Sequence, residues 1–324
     1  MRDCGVVSGV PGRVTALTDW NGRRVLVTGA TGFIGRRLAH RLADAGAELW
    51  VTVYPEDPPE STNVLPRLAR QIPLSLQDAP VVRDAVVQVA PEILFHLAAV
   101  GVTQPTIDAV TAAKVNLLGV IHLLEALRET RVERAVLAGT CHEYGDGCGR
   151  ERLDPANFYA ASKVAGWAFA RAYWHAHSLP TVTVRPFQVY GPTQPGSTLI
   201  SSAIRAALSG EDLALTPGEQ QRDFVFVDDV VDGLLATAVA SRIEGNSIDL
   251  GTGIAHPILS VVKKIWELTD ATGRILAGAM PYRTGETMSL VADADRTAAL
   301  TRWRARVGLE EGLRRTINEF RSRA

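Results

Sequence analysis

Arg23-Arg24-Val25-Leu26-Val27-Thr28-Gly29-Ala30-Thr31-Gly32-Phe33-Ile34-Gly35 is the stretch whose reading decides the fold. It opens as a compact, β-branched apolar run and continues into a glycine-punctuated turn, and a helical pattern from Arg36 to Ala45 follows without a break. That is strand, tight turn, helix. Glycines in such a turn let the backbone approach a pyrophosphate, which then rests on the helix N-terminus, where free amides and the dipole favour negative charge. The strand-to-helix setting gives an otherwise weak pattern its meaning: a dinucleotide site lined by Gly29, Thr31, Gly32, Phe33, Ile34, Gly35 and Arg36.

The alternation continues outward. A second strand is predicted from Glu48 to Tyr54, a helix from Val81 to Val89, a buried strand from Ile93 to Ala98, a long helix from Ala109 to Arg128 and a strand from Arg134 to Gly139. This is an α/β chain with a doubly wound parallel sheet of Rossmann type. Ligands of such sheets sit beyond the carboxyl ends of the strands. His96-Leu97-Ala98-Ala99 and Thr140-Cys141-His142-Glu143-Tyr144-Gly145 therefore both point at the cleft, and the small residues after His96 let a cofactor lie close.

The end of the second strand bears on NAD against NADP. An acidic residue there would grip the adenosine ribose, but Val53 and Tyr54 hold the place. Glu56 and Asp57 come two residues late among Pro55, Pro58 and Pro59, and a solvated loop is preferred over a ribose contact. Arg36 and Arg37 are placed to meet a 2′-phosphate, although first-turn arginines are more often solvated. NAD or NADP is left undecided.

Phe158-Tyr159-Ala160-Ala161-Ser162-Lys163 puts a phenol and an ammonium one helical turn apart on one face. A tyrosine with a pKa near ~10 exchanges protons at neutral pH only beside a positive charge, which Lys163 is placed to supply. Past Pro192 the regular alternation breaks into shorter pieces. The expected organisation is a leader over 1–20, a dinucleotide-binding domain over 21–191 and a smaller substrate-binding domain over 192–324, with part of 223–251 (Val225 to Val227, Ser247 to Leu250) returning to the sheet.

Composition narrows the partners. With 324 residues, 46% hydrophobic, the chain can bury a large core, and a net charge of −1 without a basic run implies neither nucleic acid nor an anionic membrane. No signal-peptide pattern and no run of ~18 apolar residues is found, so a cytoplasmic protein is expected. Three cysteines, Cys4, Cys141 and Cys148, lack metal-ligand spacing, and no metal is expected.

Several motifs in order resemble the extended short-chain dehydrogenase/reductase family, in its nucleotide-sugar epimerase, dehydratase and reductase branch. They are TGATGFIG at Thr28 to Gly35, HLAA at His96 to Ala99, VNLLGVIHLLEA at Val115 to Ala126, the Thr140 to Gly145 run, YAASK at Tyr159 to Lys163, RPFQVYGP at Arg185 to Pro192, QQRDFVFVDDV at Gln220 to Val230, and Arg283-Thr284-Gly285-Glu286. The resemblance implies Tyr159 as general acid/base at a sugar carbon, Lys163 lowering its pKa and holding the nicotinamide ribose, and Thr140 bonded to the reacting oxygen. It implies Leu97, Ala98 and Ala99 against the cofactor. Gln188, Arg222, Arg283 and Glu286 would hold a nucleotide-diphosphate sugar, and the protein would be a homodimer.

The chain also departs from the pattern. Ser75 stands where a carboxylate usually meets adenine, and Gln188 where asparagine is usual. Dehydratases of the family follow the threonine with Asp-Glu, whereas here Cys141 and His142 follow, a thiol and an imidazole that are further catalytic candidates for proton transfer, and Glu143, shifted by one, is expected to face elsewhere in an extended run. A 4-ketoreductase of a nucleotide-linked 4-keto-6-deoxyhexose is therefore favoured. The alternatives are a 4-epimerase or 4,6-dehydratase that uses its cofactor transiently, and a non-catalytic dinucleotide-binding module.

Overall fold

A computed structural model describes residues 20–102, 107–145, 152–283 and 285–323. Residues 1–19 of the expected leader, with Cys4 and Cys148, lie outside the described residues. Seven strands form one sheet: β1 (Arg24–Thr28), β2 (Glu48–Val53), β3 (Arg70–Pro73), β4 (Ile93–His96), β5 (Arg134–Ala138), β6 (Thr181–Pro186) and β7 (Ser247–Leu250). Their order is β7-β6-β5-β4-β1-β2-β3, and every pairing is parallel. The chain winds one way from β1 through β3 and the other way from β4 onward. The topological switch point therefore lies between β1 and β4, where Thr28 pairs with His96.

Helices cover both faces, which is why the strands read as near-continuous apolar runs. Side chains alternate across the sheet: Val25 and Val27 enter one core, with Leu38 and Leu42 of α1 (Phe33–Asp44), while Leu26 enters the other, with Val82 and Val86 of α2 (Ala79–Val89). That second core also takes Leu123, Leu124 and Leu127 of α3 (Ala109–Leu127) and Tyr173 of α4 (Phe158–His177). Helix α3 is long and apolar enough to span a membrane by composition, yet it packs on α2 and α4 as a core helix. Its middle, Ala113–Leu118, is a π-helical segment.

Several expected boundaries shift. β2 ends at Val53, β5 at Ala138 and β4 at His96, so Leu97 to Ala99 form a loop at the β4 tip, while α1 already begins at Phe33 and α2 at Ala79. Of the two segments expected to return to the sheet, Ser247–Leu250 does so as edge strand β7. Phe224–Phe226 instead pairs in parallel with Gln188–Tyr190 in a separate two-stranded ladder. The aromatic side chains explain this: Phe224, Phe226 and Tyr190 pack edge to face in a third core, with Ile200, Ile204, Val261, Ile265 and Leu313.

Candidate active site

The glycine turn is built by steric necessity. Gly29 has φ +71°, and a Cβ there would lie 2.6 Å from the backbone nitrogen of Ala98. A Cβ on Gly35 would lie 2.0 Å from the Gly29 carbonyl oxygen. Turn, helix start and β4 tip are thus packed backbone to backbone, which only glycine allows. Gly32 caps α1 without a side-chain bond, and the first turn carries no acid. Open amides at the carboxyl edge of the sheet fit a dinucleotide pyrophosphate. The two arginines expected nearby are engaged elsewhere. Arg36 donates to the Thr193 carbonyl, and Arg37 pairs with Asp228 at 2.9 Å and donates to the Pro192 carbonyl at 2.8 Å. Tyr54, Pro55 and Glu56 form an exposed loop in which the Tyr54 hydroxyl bonds the Glu56 side chain, in keeping with the solvated-loop preference.

Three residues from two elements meet at the tip of β5. Lys163 is 4% exposed, and its ammonium donates to the Ala138 carbonyl at 2.8 Å. Burial lowers its pKa to about 8, and the carboxylate of Glu143 works against that fall. The Thr140 side chain lies next to the Tyr159 phenol. Burial pushes the Tyr159 phenol above its ordinary value, and the Thr140 side chain partly offsets this. Asn157 caps α4 through Ala160, which fixes where the helix carrying Tyr159 and Lys163 begins.

Residues 140–144 are not an extended run. Thr140 is the N-cap of a short 3-10 helix, Cys141–Tyr144, in a capping box with Glu143. The curl turns Glu143 inward, where it is fully buried, so the extended run assumed for it does not hold: the alternation of a strand does not apply to a helical turn. Its two carboxylate oxygens accept from the Thr140 amide at 2.8 Å and from Arg185 Nε at 2.7 Å. Cys141 is buried, and its thiol is raised to about 12, mainly by burial. His142 is lowered by burial and then by the nearby Arg222 charge, so its imidazole is neutral.

Arg222 does not pair with Asp223, Asp228 or Asp229. It bonds Glu286 at 2.9 Å, and Gln220 reaches the same oxygen at 3.3 Å. Asp223 instead accepts from the amides of Thr252, Gly253 and Ala292, and Asp229 from those of Arg306 and Val307. Gln188 is half-buried on the strand beside Phe224, while Arg283 is exposed at the start of a turn closed by Glu286. One buried amide escaped the sequence reading. Asn116, in the π segment, holds Val100 with two 3.0 Å bonds and Ser162 with a third at 3.0 Å. A polar residue in an apolar helical run was its only signal.

A doubly wound sheet with a glycine turn opening its first helix and a Thr-Tyr-Lys cluster at its carboxyl edge defines a nicotinamide-dinucleotide enzyme. Residues 25–251 match the NAD dependent epimerase/dehydratase family, and the chain belongs to it. The chain is 28% identical to UDP-N-acetyl-alpha-D-glucosaminuronate decarboxylase of Bacillus cytotoxicus, with 92% of this chain and 98% of that one covered. It is 29% identical to UDP-glucose 4-epimerase of Mycolicibacterium smegmatis, over 93% and 99%. Among solved structures, MoeE5 in complex with UDP-glucuronic acid and NAD superposes with a TM-score of 0.82 at 32% identity, over 93% and 99% of the two chains.

Proposed function

We propose that the protein is an NAD-dependent enzyme that transforms a nucleotide-diphosphate sugar by transient oxidation at C4, in the manner of a 4-epimerase. The carrying observation is the gathering of Thr140 and the Tyr159 phenol beside buried Lys163, next to a turn that lacks the Asp-Glu pair for dehydration. The Cys141 thiol, raised to about 12, does not exchange protons near neutrality. This reading replaces the 4-ketoreductase favoured from sequence, because the similar proteins named above are an epimerase and a decarboxylase and MoeE5 was solved with NAD. When bound, the dinucleotide accepts a hydride from the sugar and returns it.

The chain's own residues do the rest. Thr140 orients the reacting hydroxyl, and Tyr159 takes its proton and later gives it back. Lys163 supplies the positive charge that makes a raised phenol usable and holds a ribose. Arg222, Arg283, Gln188 and Glu286 are assigned to the nucleotide diphosphate, arginine forks being suited to phosphate oxygens. Gly29, Thr31, Gly32, Phe33, Ile34, Gly35, Leu97, Ala98 and Ala99 would line the dinucleotide. A homodimer through α3 and α4 is part of the same reading, since Val110, Leu118, Phe158 and Phe169 on those helices are exposed.

The test is incubation with UDP- and dTDP-linked hexoses and uronic acids, and with their 4-keto derivatives plus NADH or NADPH. Inversion at C4 without net change in reduced-nicotinamide absorbance is expected. Stoichiometric nicotinamide consumption would establish the reductase instead. Tyr159→Phe should abolish turnover and leave dinucleotide binding intact; undiminished turnover in that variant would sink the mechanism.

A further inference from the structure

Glu143 has no role in the mechanism above, yet no other carboxylate among the described residues is so completely enclosed beside the Thr-Tyr-Lys cluster. Its exposure is 0%. The backbone makes room for it: a Cβ on Gly139 would lie 2.2 Å from Glu143 Oε1. From β6, Arg185 backs it with a 2.7 Å ion pair, and both partners are almost entirely out of solvent. Arg185 is itself held on three sides. Its guanidinium lies 4.9 Å from the Tyr144 ring centre and 5.5 Å from that of Trp167, and it donates to the Tyr144 hydroxyl at 3.1 Å and to Ser247 Oγ at 2.7 Å. The Tyr144 hydroxyl donates in turn to Asp249 Oδ1 at 2.7 Å on β7.

A buried ion pair of this kind is poor value as a stabilising device. Apolar residues of like volume commonly serve a core as well, so placement rather than stability is the informative property. One oxygen of Glu143 fixes the amide of Thr140, whose side chain lies next to Tyr159, and its charge acts on Lys163.

We propose that Glu143 is a positioning residue for the proton transfer: clamped from behind by Arg185, its carboxylate fixes the Thr140 pose toward Tyr159 and sets a negative charge beside the Lys163 ammonium. This rests on the function proposed above. The charged and titratable groups around the pair are few. Arg185 faces Glu143 from β6, Lys163 and Tyr159 face it from α4, and Asp249 lies behind Tyr144 on β7. Lys163 also faces His96 of β4, a neutral imidazole. The Arg222 charge acts on Cys141 and His142 in the same turn. Among these, Glu143 is the group that opposes deprotonation of Lys163.

Glu143→Gln preserves volume and removes the charge. It also sets an amide NH2 against one of two donors. In the full chain, kcat for the nucleotide-sugar reaction should fall by about tenfold to a hundredfold, within the range that positioned proton transfer contributes. Dinucleotide affinity should change by less than about threefold, since the glycine turn is untouched. The basic limb of the kcat–pH profile should move to lower pH, because Lys163 loses the carboxylate that keeps it charged.

A purely structural role would lower activity without moving that limb, and an unmoved limb overturns the proposal. Four lysines in the chain make a second readout practicable. With 15N-labelled lysine, the Nζ signal of Lys163 should titrate at lower pH in Glu143→Gln than in the parent, and coincident titrations overturn the proposal even if the parent turns over no sugar tested. Should Glu143→Gln fail to fold, Arg185→Lys keeps both charges and loosens the clamp. It should reduce kcat with the basic limb in place, and unreduced kcat overturns the clamp.

Discussion

Thr28 Oγ1 lies 2.7 Å from Nδ1 of His96, a side-chain bond across the two strands that flank the switch point. The imidazole is fully buried, and burial, with the Lys163 charge second, lowers its pKa to about 3. His96 is therefore neutral when folded but titrates near 6.5 when unfolded, so the unfolded chain binds the extra proton between those values. Stability from this group is present above pH ~6.5 and is lost as pH falls toward about 3, by about 1.4 kcal/mol per unit. Urea midpoints for parent and His96→Gln should diverge least at acid pH and most near neutrality; parallel curves from pH 4 to 7 would contradict this.

The glycine turn predicts a backbone collision. Gly35→Ala places a Cβ on the Gly29 carbonyl within α1's first turn, and relief requires moving the turn that receives the pyrophosphate. Dinucleotide affinity measured by calorimetry should drop by at least about a hundredfold, roughly 2.7 kcal/mol, while far-ultraviolet circular dichroism stays near the parent spectrum.

Asn116 joins the loop after β4 to the helix of Tyr159 and Lys163 through Val100 and Ser162. Asn116→Ala removes the partner of the half-buried amide and carbonyl of Val100 and of Ser162, at a cost of about 1 to 2 kcal/mol in urea unfolding. Turnover should fall by more than about tenfold, because Ser162 adjoins Lys163 and positional error at a reacting group is severe.

Asp223 has the opposite location, next to Arg222, and ties that strand to the tip of β7. Oδ1 accepts from Thr252 N and Oγ1, and Oδ2 from Gly253 N and Ala292 N, so neither oxygen can be exchanged for NH2 without facing a donor. Asp223→Asn should thus destabilise nearly as much as Asp223→Ala, on the order of 3 kcal/mol by chemical denaturation. A mild effect for the asparagine variant would show that the hub relaxes.

How much of this was legible depended on the range of the contact. Most of the sheet, the helices that flank it and the glycine turn follow from local periodicity and from glycines that no other residue could replace, whereas the edge strand β3, short and largely exposed, gave no apolar pattern to read. Tyr159 and Lys163 were legible for the same reason, being one turn apart on one helix. Glu143 was missed because the run after β5 looked extended, whereas the Thr140 cap curls it into a 3-10 turn. Phe224–Phe226 joined the wrong sheet on paper because its partners Gln188–Tyr190 lie far away in sequence. Arg222 found Glu286 rather than one of three nearer carboxylates for a related reason: those three were already committed to backbone amides or to Arg37. Competition between acceptors is a property of the assembled molecule.

The paired arginines that open α1 have a bearing on engineering. Arg36 and Arg37 latch the first turn of the cofactor helix to the carbonyls of Pro192 and Thr193 and to Asp228. Thr193 holds a φ of +66°, and its amide donates to Glu319 of the last helix at 2.8 Å. The N-terminal half is therefore not a portable cassette. A chimera that grafts residues 21–191 onto a relative's C-terminal half would sever these latches at the junction. Transplanting the 192–194 bridge, Asp228 and Glu319 along with the graft is the condition for keeping the two halves in register.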